Sequence, residues 1–127
     1  MQKLILRMPE ATLNKYITAE RNHPMLAANI KRQETSHIAW QIKSAMNRGA
    51  QSFDWPCGIR FVWHVKNRRQ DPDNIAFMKK YILDGMQDVG FIPNDSMKFI
   101  TGFADDFIAD GKEIVEIMPI EKAEGEV

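Results

Sequence analysis

Asp71 and Asp73 lie two residues apart, with only Pro72 between them. In extended backbone this spacing puts both side chains on one side, and Pro72 keeps Asp71 out of helical geometry. Mg²⁺ prefers carboxylate oxygens and keeps several waters, so two or three aspartates suffice as its ligands. Asp95 follows in the turn sequence Pro93-Asn94-Asp95. These three aspartates are candidate metal ligands, although each alone also suits a turn or a helix cap.

Basic residues surround the two aspartates. Five candidate contacts to a phosphate backbone flank them: Lys66, Arg68, Arg69, Lys79 and Lys80. Phosphates are bound by Lys and Arg, whereas metal ions that assist hydrolysis need carboxylates. A carboxylate pair among cations therefore indicates a site that cuts phosphodiesters. Lys80 lies two turns after Asp73 on the same helix face, where it would either stabilise developing negative charge or pair with Asp84.

The charge distribution also favours a polyanionic partner. The formal net charge of the chain is zero. Residues 2–80 nevertheless carry 14 Lys/Arg and 6 Asp/Glu, whereas residues 81–127 carry 3 Lys/Arg and 11 Asp/Glu. Such asymmetry indicates nucleic-acid binding by the first part, unless the charges interleave in space. Arg21, Lys31 and Arg32 are further candidates for contacts to a DNA backbone, with surface solubility as the alternative.

The elements that must position these residues follow from periodicity. We predict a first strand at 4–6, mostly loop at 9–23, and a helix from Pro24 to about residue 47. Its apolar face comprises Leu26, Ile30, Ile38, Ile42 and Ala45, with Glu34 interrupting the series. Alternation over 59–65 predicts a strand.

The second half of the chain has a similar organisation. A second helix opens at Asp71 and ends at Gly90, with an apolar stripe comprising Ile75, Met78, Ile82, Met86 and Val89. Strands at 99–108 and 113–118 flank Asp110-Gly111, which predicts a hairpin. The expected fold is a single α+β domain over 1–127, in the order β-α-β-α-β-β. Its small mixed β-sheet would carry two main helices mainly on one face, and 119–127 would be a frayed acidic tail.

The composition limits the class of protein. The length, 127 residues, is that of one domain. Cys57 is the only cysteine, which excludes an internal disulfide and a zinc site built on clustered cysteines. No apolar run is long enough to cross a bilayer. We therefore expect a cytoplasmic protein with no membrane partner and no small-molecule cofactor.

The residues from 69 to 95 resemble a known family. Arg69-Gln70-Asp71-Pro72-Asp73-Asn74, then Lys80, then Leu83-Asp84-Gly85-Met86, then Gly90 through Asn94-Asp95, resemble the RusA-like Holliday junction resolvases, or crossover junction endodeoxyribonucleases. The family pattern is a basic stretch, Asp-x-Asp-Asn, a helix with a lysine and an Asp-Ala-Leu-like step, then glycine and a closing acidic pair. Residues 13–22 also look like a branch of this family, so the resemblance covers most of the chain.

The resemblance implies a homodimeric, magnesium-dependent nuclease that resolves four-way DNA junctions in recombination and repair, with Mn²⁺ as a possible substitute. Members are often encoded by prophages. By position, the metal-site aspartates are Asp71, Asp73 and Asp95, and the functional lysine is Lys80. The spacing from Asn74 to Asp84 is longer than in the best-known member, which makes Lys79 a rival. Asn94 replaces the first acid of the closing pair.

The same residues are also compatible with other functions. The alternatives are a general structure-selective nuclease, a non-catalytic phage DNA-binding accessory protein and a small protein–protein adaptor.

Several further side chains suit either a chemical or a structural role. His64 is a possible general base, although a structural role is favoured for it and for His37. Trp40, Trp55 and Trp63 would stack on unpaired bases or pack in the core or a dimer interface. Methionine and tryptophan of the long helix are the candidates for that interface. Asp105, Asp106 and Asp110 are predicted to be solvated.

Overall fold

The elements of the fold come from a computed structural model that describes residues 2–120. In chain order they are β1 (Leu4–Arg7), α1 (Leu13–Asn22), α2 (Pro24–Asn47), β2 (Cys57–Val65), α3 (Pro72–Ala76), α4 (Lys79–Asp88), β3 (Ile100–Ala109) and β4 (Ile114–Ile120). The predicted α+β fold with a small mixed sheet is confirmed. Residues 119 and 120, assigned to a frayed tail, belong to β4, and 121–127 lie outside the described residues.

The four strands form one sheet in the order β1-β4-β2-β3. β2 runs parallel to β3 and antiparallel to β4, so the predicted β3–β4 hairpin is wrong. β2 lies between the two strands, and the turn after β3 crosses its end. There the Gly111 N–H donates to the Val65 carbonyl at 2.9 Å. Gly111 has φ +78°, a conformation that glycine adopts without strain.

One face of the sheet packs against the helices. Leu4, Phe61, Trp63 and Ile117 point to this face and are buried, in the alternation expected of half-covered strands. They share a core with residues of α2 and α4, including Ile38, Ile42, Ile82 and Met86. On the opposite face Ile5 is more than half exposed. The sheet therefore presents one covered face and one open face.

Helix α2 begins at Pro24 as predicted and buries Ile38 and Ile42. In its first turns the buried residue is Ala27, whereas Leu26 is 47 % exposed, so the predicted apolar face is wrong there. Glu34, which interrupts that face, accepts hydrogen bonds from the backbone N–H groups of Glu10 and Ala11 at 2.6 and 2.8 Å. Its carboxylate therefore anchors the segment before α1.

The segment 9–23, predicted as mostly loop, contains helix α1, so that prediction is wrong. Only Ala19 of this helix is buried, and its start is held by distant side chains. The Asn14 N–H donates to Asn74 Oδ1 at 3.1 Å, and the Tyr81 hydroxyl donates to the Ala11 carbonyl at 3.0 Å. These long-range contacts stabilise a helix that buries only one of its own residues.

The predicted second helix is divided into α3 and α4 near Phe77 and Met78. Its predicted stripe is otherwise confirmed, since Ile75, Met78, Ile82 and Met86 are buried. At Gly85 a Cβ atom would lie 2.7 Å from Cγ2 of Ile38. Glycine thus permits the close approach of α4 to α2.

Within residues 2–120, no helix combines the length and apolar character needed to cross a bilayer.

Candidate functional site

Asp71 and Asp73 lie at the start of α3, and both are exposed. Asp71 occupies the N-cap position in extended backbone, but its carboxylate makes no capping hydrogen bond. The Asn74 N–H instead donates to the Asp71 carbonyl at 3.1 Å and to Asp73 Oδ1 at 3.0 Å. The helix start therefore makes no capping use of the Asp71 carboxylate.

Asp95 returns towards the start of α4 after the chain reverses direction. The N–H groups of Phe91 and Ile92 both donate to the Met86 carbonyl, which closes this reversal. Asp95 Oδ2 then lies 3.9 Å from Lys80 Nζ. The reversal therefore brings Asp95 back along α4 as far as Lys80.

Lys80 is half exposed and lies between two carboxylates. Its Nζ is 3.1 Å from Asp84 Oδ1, the pair expected from four-residue spacing, and 3.9 Å from Asp95. Lys80 therefore connects α4 to the turn that carries Asp95.

Lys79, the rival lysine, has a different environment. Its Nζ lies 2.7 Å from Asp105 Oδ2 and over the rings of Phe61 and Phe103, and only 15 % of its side chain is exposed. Asp105 also accepts a hydrogen bond from Trp63 Nε1 at 2.9 Å. The prediction that Asp105 is solvated is wrong, and Lys79 is already used in a partly buried ion pair.

Asp71, Asp73 and Asp95 do not form a ready-made ligand cluster. Among residues 2–120, no three His, Cys, Asp or Glu side chains are grouped closely enough to hold a metal ion. Magnesium, however, is commonly held by one or two carboxylates together with water and substrate phosphates. Asp71 and Asp73, exposed and two residues apart, fit that smaller donor set.

A groove of about 450 Å³ lies beside this segment, at the end of the sheet. We call it the basic groove, because its charged lining comprises Arg7, Lys15, Lys66, Lys112, Glu10 and Glu113. Four cations face two carboxylates, so its net charge is positive. Gln70, the residue before Asp71, also lines it. A polyanionic strand in this groove would lead towards Asp71.

Three cations of the basic groove were not among the DNA contacts predicted from the sequence. Arg7 ends β1, Lys15 lies in α1, and Lys112 lies in the β3–β4 turn. No spacing rule connects them, because the fold alone brings these segments together. Of the predicted DNA contacts, Lys66 is in the lining.

The other predicted DNA contacts lie outside the grooves. Arg68 and Arg69 are exposed on the segment leading to Asp71. Arg21, Lys31 and Arg32 are exposed on α1 and α2, and within residues 2–120 they line neither this groove nor the larger one beside Trp40.

His64 is buried on the open face of the sheet, between two carboxylates. Its Nδ1 is 2.7 Å from Asp110 Oδ2, and its Nε2 is 2.7 Å from Glu116 Oε2. Lys3 also bonds Glu116 at 2.8 Å. With both ring nitrogens occupied, His64 is poorly placed to act as a general base. Asp110 is exposed, as predicted, although it also bonds His64.

These contacts perturb the titration of the cluster. Hydrogen bonds to Glu116 and then to Asp110 raise the pKa of His64, against the opposing effect of burial. The pKa of Glu116 is lowered by Lys3 first and by His64 second, and His64 lowers the pKa of Asp110. Lys112, 3.9 Å from Asp110, is a further charged neighbour.

The cluster predicts a specific pH dependence of stability. A raised folded-state pKa means that the contribution of His64 is complete below its unfolded value of about 6.5 and is lost as pH rises through the folded value. The lowered carboxylate pKa values mean that their contribution is lost as pH falls through those values. We therefore expect the Tm difference between wild type and His64→Gln to be largest in mildly acidic solution and to shrink at alkaline pH. A difference independent of pH would contradict this account.

The three tryptophans differ in availability. Trp63 is fully buried, and Trp55 Nε1 donates to Ser52 Oγ at 2.9 Å and to the Phe91 carbonyl at 3.1 Å. Trp40 is 70 % exposed. His37, predicted to be structural, is also exposed and lines a second groove with Trp40.

Asp106 was predicted to be solvated, and unlike Asp105 it is. It is exposed and pairs with Arg60 at 2.8 Å on the open face of the sheet.

Comparison with protein-family models and with curated proteins finds no match to this chain.

Proposed function

We propose that this chain is a magnesium-dependent endodeoxyribonuclease that resolves four-way DNA junctions by paired phosphodiester hydrolysis, in recombination or repair. The observation that carries the proposal is the position of Asp71 and Asp73. Both carboxylates are exposed, Asp71 has no capping role, and the lining of the basic groove includes Gln70, the residue before Asp71. A structural explanation of the carboxylates is thereby weakened, and cations are present to bind the phosphates.

The donor set defines what the metal would do. Asp71 and Asp73, with Asp95, would hold Mg²⁺ or Mn²⁺, which when bound supplies charge neutralisation and an activated water. Lys80 is the better candidate for the electrostatic role, since it is half exposed and adjacent to Asp95. Lys79 is engaged by Asp105.

A homodimer follows from the proposed substrate. Resolution requires cuts on two strands of a junction with near two-fold symmetry, and a C2 dimer would present two sites. Met25 and Leu26, both exposed at the start of α2, are available for such a contact.

The single cysteine is consistent with the cytoplasmic location that we propose.

The contribution of the basic groove to DNA binding gives the first test. DNA affinity is measured in EDTA at several salt concentrations. Combining Lys15→Gln with Lys112→Gln should make the negative slope of log affinity against log salt concentration shallower by about 1 per lysine, because each phosphate contact that is lost no longer releases a counterion. The matched control combines Lys43→Gln with Arg48→Gln, both exposed near the end of α2. Equal slopes for the two double variants would remove the groove from the interface.

One observation favours a second candidate. Because Asp71, Asp73 and Asp95, all within residues 2–120, are not grouped closely enough to hold a metal ion, a DNA-binding accessory protein without catalysis is the alternative. It would bind DNA identically with and without magnesium.

A further inference from the structure

A second groove, of about 610 Å³, lies between α2 and the segment after β1. We call it the tryptophan groove, because Trp40 stands in its lining and is 70 % exposed. The Arg7 N–H donates to Gln41 Oε1 at 2.8 Å and fixes β1 against α2. Its volume falls within the range of small-molecule sites.

We propose that the tryptophan groove holds an unpaired nucleotide, with its base stacked on Trp40 and its phosphate near Arg7. The proposal rests on the function proposed above, since nucleic acid is the ligand of both grooves. Stacking on an exposed aromatic side chain is the usual means of holding an unpaired base, and every base has a face to offer.

Continuity with the basic groove favours this occupant. The two grooves share the residues Arg7, Met8, Pro9 and Glu10. A strand that follows the cations of the basic groove therefore reaches the tryptophan groove across Arg7. At a branch point the stacking of base pairs between arms is interrupted, so bases there are unpaired more readily and come within reach of a side chain.

The polar lining is compatible with a base. Ser36 and His37 line the groove and offer donors and acceptors to the edge of a base. Glu10 and Glu34 also line it beside the cation Arg7, so the phosphate would lie at Arg7 on the side shared with the basic groove. The Glu34 carboxylate accepts backbone N–H groups from Glu10 and Ala11. Its negative charge is thus partly offset, which reduces repulsion of a phosphate.

Intrinsic fluorescence of the full chain tests the proposal directly. Protein in EDTA is titrated with an oligothymidylate strand and with a blunt duplex of equal length. We expect the single strand to quench emission more than the duplex, and the quenching to disappear in Trp40→Phe. Trp55→Phe, which removes a tryptophan whose indole N–H is already bonded, should retain the quenching. Trp40→Ala should weaken single-strand affinity about tenfold or more, with duplex affinity unchanged.

Other outcomes overturn the inference. If DNA binds but emission and Trp40→Ala affinity are unchanged, the stacking site is wrong and the nuclease proposal stands. If neither DNA form binds, both proposals fail. If Trp40→Ala instead dissociates a dimer in sedimentation experiments without DNA, the groove is an interface between two copies of this chain.

Discussion

Asp73→Asn should abolish magnesium-dependent cleavage of a four-way junction, with a loss of about 100-fold or more. A bound metal contributes several kcal/mol of transition-state stabilisation, and the amide is a poorer ligand than the carboxylate. The substitution keeps an oxygen that can accept the Asn74 N–H, so the fold should be retained. Junction affinity in EDTA should not fall, because one negative charge is removed beside the phosphates.

The matched control is Asp88→Asn at the exposed end of α4. It removes the same charge far along the helix and should cleave at the wild-type rate. Equal cleavage by both variants would exclude Asp73 from the chemistry, whereas loss of cleavage together with loss of junction binding in EDTA would indicate a binding role instead.

Asp105→Ala should lower the free energy of unfolding by about 1–3 kcal/mol, the usual cost of leaving a poorly exposed hydrogen-bonding group without its partner. Asp105 neutralises Lys79 and accepts the indole N–H of Trp63, and both of these side chains are poorly exposed. Urea denaturation measures the change. Replacing Lys79 by Met together with Asp105 by Leu should recover part of the loss.

Asp106→Ala is the control on the same strand. Its pair with Arg60 is exposed on both sides, and such pairs contribute about 0–1 kcal/mol. If Asp105→Ala cost no more than Asp106→Ala, the Lys79–Asp105–Trp63 network would have no role in stability.

Local patterns predicted much of the fold. Pro24 marked the start of α2, alternation marked β2, and the four-residue recurrence of Ile75, Met78, Ile82 and Met86 marked the buried side of α3 and α4. These signals are local because side-chain periodicity depends only on the backbone conformation of the element itself.

The errors concern contacts between distant segments. Asp110-Gly111 has the composition of a hairpin turn, but β2 is inserted between the strands that it joins, and turn composition carries no information about a third strand. The start of helix α1 depends on Asn74 and Tyr81, whose bonds to this region span 60 and 70 residues along the chain.

In the candidate site, too, local features were predicted from the sequence and contacts between distant segments were not. Asp71 and Asp73 stand out by spacing and composition, and Lys80 by its relation to Asp84. Asp105 pairs with Lys79 of α4, a partner that its turn-like sequence does not reveal, so its solvated assignment was wrong. Asp110 is exposed as predicted, but its bond to His64 of β2 also has no local signal. Arg7, Lys15 and Lys112 join the basic groove only through the tertiary fold.

The most direct test of the central claim is cleavage by the wild-type protein of a labelled four-way junction and of a linear duplex with the same sequences, in Mg²⁺ and in EDTA. The account predicts paired cuts on opposite strands of the junction, in magnesium only, with the duplex intact. Equal cutting of flaps and forks would contradict junction specificity and indicate a general structure-selective nuclease. Junction binding without cleavage in Mg²⁺ or Mn²⁺ would contradict the enzyme and leave a DNA-binding accessory protein.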